Sequence, residues 1–133
     1  MYCASFTDTV IDHFNSPRNC KSMENADGIG SYGDADCGDS LKIFIKVKND
    51  VIEDISFLVA GCVAAVASSS MTTELAKGKT IEEALKITDE DIAIALGGLP
   101  ENKMHCSVLG AKALQNAIKD YQYQIVIREK FMK

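Results

Sequence analysis

Apolar residues along this chain follow one spacing, then another, and the change falls near the middle. Over residues 5–15, Phe6, Val10, Ile11 and Phe14 recur at helical intervals and stop ahead of Pro17, predicting a short amphipathic helix. Residues 21–36 are rich in Gly, Asp, Asn and Ser, which predicts a loop with one short strand at most. Leu41, Ile43, Ile45 and Val47 then alternate with their neighbours, the period of a half-buried strand. Asn49-Asp50 reads as a turn and residues 51–59 as the returning strand of an antiparallel hairpin. After Gly61-Cys62 the pattern turns helical, with a helix expected over 63–78 and Gly78 at its C-terminal cap. Thr80 to Glu83 spells a capping box, and Thr88 to Asp91 repeats it less strongly. Ser107 is the expected cap of a last helix whose face carries Leu109, Ala113, Ala117 and Tyr121, flanked by Leu114 and Ile118. Residues 122–133 have no decisive pattern.

Strands early and helices late predict an α+β fold: a small antiparallel sheet of about three strands, helices on one face, a metal site at one end. One domain is expected over 1–133, with its core at about 5–121 and a tail at 122–133. The apolar share of 47% and charged share of 25% are those of an ordinary globular protein. A net charge of −5, with no basic stripe interleaved with aromatics, argues against nucleic acid as a partner. No segment approaches the roughly 18 apolar residues that span a bilayer. Asp8, Asp12 and His13 would spoil a signal peptide, so a cytoplasmic protein with reduced thiols is expected.

The five cysteines stand at 3, 20, 37, 62 and 106, an odd and scattered set that argues against a disulfide framework. Cys37 lies in Asp-Cys-Gly-Asp at a loop-to-strand junction, Cys62 at a strand-to-helix junction, and Cys106 after His105 just before the last helix. Side chains at element ends can converge on one rim of a sheet. Helix N-termini favour negative charge, so Cys62 and Cys106 are placed where a thiolate is welcome. Gly38 and Gly61 let the backbone bend beside them. Thiolates with one carboxylate or imidazole, here Asp39 or His105, suit zinc or an iron–sulfur cluster and not calcium or magnesium. No Cys-x2-Cys pair exists, which argues against a zinc finger, and spacing alone leaves buried structural cysteines as an alternative. A cysteine hydrolase using His105 and Cys106 is disfavoured, because adjacent residues rarely present their side chains to each other. Ser68, Ser69 and Ser70 are read as close helix packing, and His13 as a structural or surface histidine.

The runs VIDHFNSPRN (10–19), DCGD (36–39), GCVAAVASSSMTTELAKGKT (61–80) and KMHCSVLGAKAL (103–114) resemble the IscU/NifU-type iron–sulfur cluster scaffolds, in family order over roughly residues 5–121. The resemblance implies a non-enzymatic scaffold for assembly and transfer of a [2Fe–2S] cluster. It implies that Cys37, Cys62 and Cys106 hold the cluster, with Asp39 the labile fourth ligand, His105 a ligand in some members, and Cys106 the first acceptor of persulfide sulfur. The partners it implies are a cysteine desulfurase, apo iron–sulfur proteins, Hsp70/Hsp40-type chaperones and an electron-donating ferredoxin. Iron, zinc in the cluster-free form, and a homodimer when loaded belong to the same expectation. The alternative is a zinc-organised sulfur acceptor, or sulfurtransferase.

Three features depart from the family pattern. The chaperone-binding segment keeps Leu99, Pro100 and Lys103 but has Glu101 and Asn102 where a second proline and a valine are common. Phe6 stands where many relatives carry tyrosine, which leaves Tyr2 as the nearby hydroxyl, and Cys3 and Cys20 are extra and read as incidental. Retention of His105, with no inserted segment between Thr80 and Leu96, resembles the scaffold branch more than the zinc-containing SufU-type acceptors.

Overall fold

The computed structural model of the chain describes residues 6–34 and 38–131. Helix α1 (Asp8–Asn15) begins where the Thr7 hydroxyl accepts from Val10 N–H. It is followed by β1 (Gly28–Asp34), β2 (Asp39–Lys48) and β3 (Val51–Ala60), then α2 (Val63–Ala76), α3 (Ile81–Leu85), α4 (Asp89–Ala95) and α5 (His105–Phe131). The strands form one antiparallel sheet in the order β1-β2-β3. Asn49 and Asp50 both adopt positive φ (54° and 66°), as a two-residue hairpin turn requires to match the strand twist.

The alternation seen in the sequence sets the register. Ile43 faces Phe57 and Ile45 faces Ile55, and these side chains pack with Leu109, Ala113, Leu114, Ala117 and Ile118 of α5 into the main core. A second cluster joins α1, α2, α4 and α5 through Val10, Ala67, Ile92, Leu96 and Ala111. Both capping boxes form as spelled, at Thr80–Glu83 and Thr88–Asp91. Gly78 takes φ +84° just past α2, the left-handed conformation that ends helices.

One expectation changes. The last helix starts at His105, not after a cap at Ser107; the Ser107 hydroxyl is buried and donates back to Met104 O at 2.7 Å. That moves Cys106 from before the helix into its first turn. Residues 122–131, where the sequence has no decisive pattern, continue α5 to Phe131. The Ser run does serve close packing, being fully buried in α2, but Ser70 also ties in the N-terminal segment. Its Oγ bonds His13 Nδ1 at 2.7 Å and accepts from Arg18 N–H at 2.9 Å.

His13 is therefore structural. Burial, and next the neighbouring Arg18 cation, hold its imidazole below the ordinary 6.5, while Asp12 and Glu74 pull the other way more weakly. A histidine kept neutral in the fold contributes stability that is full above pH 6.5 and is lost as pH falls through its lowered folded value. Melting temperature is thus expected to drop more steeply between pH 7 and 5 in the wild type than in His13→Gln. Parallel slopes in the two proteins would remove His13 from the acid response.

Candidate functional site

The sheet delivers its chemistry at one end. Asp39 opens β2, Ala60 closes β3, and Gly61-Cys62 turns the chain into α2, with Cys62 as the N-cap. Cys106, in the first turn of α5, comes up beside them. Asp39, Cys62 and Cys106 each offer a ligand atom, and these atoms lie within 4.8 Å of one another. Cys62 Sγ is 3.8 Å from Cys106 Sγ and 3.9 Å from Asp39 Oδ2, and Cys106 Sγ is 3.8 Å from the same oxygen. His105 Nε2 stands 3.7 Å from Cys106 Sγ. These two neighbours do meet, contrary to the expectation for adjacent residues, because the first turn of α5 lets both side chains reach the rim.

These separations have a chemical reading. A tetrahedral ion with ligands at about 2.3 Å sets its ligand atoms roughly 3.8 Å apart, the edge of the tetrahedron. The three atoms form one face of such a figure, and soft thiolates with a single carboxylate match zinc or iron. Cys37, expected as the third thiol, lies outside the described residues, as does Cys3. Cys20 is a free, exposed thiol whose backbone bridges to Phe57 of β3, away from the triad by its place in the fold.

Burial governs the acidity here. Cys106 and Asp39 are buried, whereas Cys62 is half-buried. Burial, reinforced by Cys62 and then Asp39, pushes the Cys106 thiol well above its ordinary range; Lys103 opposes the shift weakly. The helix N-terminus therefore does not dominate at Cys106. Desolvation of a negative sulfur is the leading cause, and a second thiol and a carboxylate add to it. A bound cation reverses that balance, since metal ligation deprotonates a thiol outright.

Gly61 serves the site by its size. A methyl group there would lie 2.7 Å from Asp39 Oδ1 and 2.8 Å from the Ala65 methyl, so only glycine leaves the carboxylate its place. Gly38 has φ +72°, the bend expected of it. Leu99 is half-buried against both core clusters, and Pro100 caps a short 3-10 turn, Glu101–Lys103, that leads into α5. The altered residues Glu101 and Asn102 are exposed, and Lys103 is close enough for its charge to reach Cys106.

Residues 5–127 match the family described as the NifU-like N terminal domain. The iron-sulfur cluster assembly scaffold protein IscU 1 of Archaeoglobus fulgidus is 60% identical over 116 residues, covering 87% of this chain and 76% of that protein. The scaffold protein IscU of Aquifex aeolicus is 50% identical over 118 residues, covering 87% and 75%. Among solved structures, the N-terminal part of a NifU-like protein from Brucella abortus superimposes with a TM-score of 0.70 at 16% identity, covering 89% of this chain and 94% of that one. At that identity the likeness speaks for the fold alone.

Proposed function

The chain belongs to the NifU-like N-terminal domain family of iron–sulfur cluster assembly scaffolds, and from that premise we propose that its cargo is a [2Fe–2S] cluster built at the β2–α2–α5 rim. The observation that carries this reading is the triangle of Asp39, Cys62 and Cys106, with donor atoms converging from three elements. Cys37 completes the set of thiolates, and Asp39 competes with His105 for the remaining place, with Asp39 favoured because its oxygen already faces both sulfurs.

The chemistry of holding and release follows from the donors. Thiolates retain iron well, whereas a carboxylate is a harder and weaker partner for it. One weak corner lets the scaffold bind a cluster while it is built and yield it to an apo-protein afterwards. In this reading a cysteine desulfurase supplies sulfur as persulfide to Cys106. Cys106 is buried, so its sulfur must be uncovered for the transfer. A ferredoxin-type donor supplies electrons, and Hsp70/Hsp40-type chaperones engage Leu99, Pro100 and Lys103. The loaded form is a homodimer in the cytoplasm, and the role is that of a carrier, not an enzyme.

The edge lengths near 3.8 Å favour a second reading, in which a single zinc ion organises the site and sulfur is passed on as persulfide. Anaerobic reconstitution with iron, sulfide and a desulfurase separates the two. The scaffold reading expects visible absorption from a protein-bound cluster, with iron and sulfide in equal amounts. Retained zinc, no visible-absorbing cluster and continued sulfur transfer would establish the zinc reading instead.

A further inference from the structure

Cys62 and Cys106 are both free thiols, and their sulfur atoms are 3.8 Å apart. A disulfide needs about 2.05 Å, so the pair could close with a shift of less than about 2 Å. The two are unlike in setting. Cys62 is half-buried at the N-terminus of α2 and its side chain makes no capping bond, while Cys106 is fully buried. Asp39 Oδ2 accepts from both S–H groups, which holds the two sulfurs turned toward one point.

We infer that this pair is a dithiol that discharges persulfide sulfur as hydrogen sulfide inside the site, a step that rests on the reading of Cys106 as the persulfide acceptor. Thiol exchange can strike either sulfur of a persulfide. Cys62 stands against the protein-bound one, Cys106 Sγ. Attack there breaks the bond from Cys106 Sγ to the terminal sulfur and forms the bond between the two cysteines. One persulfide on Cys106 and one thiol on Cys62 thus give one Cys62–Cys106 disulfide and one hydrogen sulfide. The two cysteines lose two electrons and the terminal sulfur gains them, falling from the zero-valent to the sulfide level. The Cys62 proton leaves with the sulfide. The step needs no outside reductant, and a dithiol reductant then reopens the disulfide for another round. Cluster assembly requires sulfide, and the pair generates it at the place of use.

The test treats the full chain, freed of metal by chelation and kept anaerobic, with one equivalent of glutathione persulfide. Released sulfide, intact mass and a peptide map are read together. The wild type should release sulfide and acquire a bond joining the Cys62 and Cys106 peptides, with its mass falling by two hydrogens. Cys62→Ser should accumulate persulfide on Cys106 and release sulfide at least about tenfold more slowly. A stable persulfide in the wild type without the 62–106 bond would overturn the inference. So would undiminished release from Cys62→Ser, or no sulfur uptake by the wild type. The wild-type map does not depend on how any variant folds. Reconstitution with iron and free sulfide bypasses the persulfide: a cluster formed there without discharge defeats this inference alone, and no cluster defeats the scaffold reading.

Discussion

Gly30→Ala is expected to lower the melting temperature by about 10 °C or more. The added carbon would press into the Ala117 nitrogen and lie 2.5 Å from the Ala113 oxygen and 2.6 Å from the Asn116 carbonyl carbon. All three are backbone atoms of α5, so no side chain can swing away; the helix itself must lift off β1. Overpacking of this kind costs about 3 kcal/mol where neighbours are rigid. Gly28 is crowded in the same way by the Ala117 oxygen. The contact matters beyond packing, because β1 is an outer strand. Asp120 Oδ2 accepts from Ile29 N–H at 2.9 Å and Asn116 donates to Ser31 O at 2.9 Å, so α5 occupies polar backbone that an edge strand would otherwise present. Lifting α5 breaks both bonds and withdraws Cys106 from the site at its other end. Thermal melts followed by circular dichroism check the expectation, and a shift under about 3 °C would show that α5 slides freely over β1.

Asp39→Ala is expected to lose a reconstituted cluster on the order of tenfold more slowly than the wild type. The carboxylate is buried against both sulfurs and is the hardest donor in the set. Removing it leaves the corner to His105, whose Nε2 already stands 3.7 Å from Cys106 Sγ, or to an external thiol, and either is a better ligand for iron. The measurement is the anaerobic decay of visible absorption after a chelator is added. Faster loss from the variant would contradict the weak-corner account and make Asp39 a true anchor.

The sequence alone determined much of this protein. Period-two alternation marked Leu41, Ile43 and Ile45 as the core face of β2, although Phe44 on the other face is buried too and the register shifts between Lys46 and Val47. Capping boxes at Thr80 and Thr88 were readable because their bonds span three residues and need no tertiary partner. The junction positions of Cys62 and Cys106 marked them as candidates, and the motif blocks around them pointed to the family.

Local spelling could not decide the rest. Helix α5 starts two residues before Ser107 because its first turn is fixed by packing of Cys106 and Ser107 into the core, which outweighs the capping preference of a serine. Gly28 and Gly30 of β1 look like loop residues in sequence; in the strand their bare backbone admits α5 closely. The acidity of Cys106 ran opposite to the helix-terminus argument, since burial depth and a thiol 44 positions away are properties of the assembled fold. The same holds for the site itself. Sequence supplied the donors, but only the meeting of β2, α2 and α5 put Asp39, Cys62 and Cys106 on one tetrahedral face, because that distance depends on contacts between residues far apart in the chain.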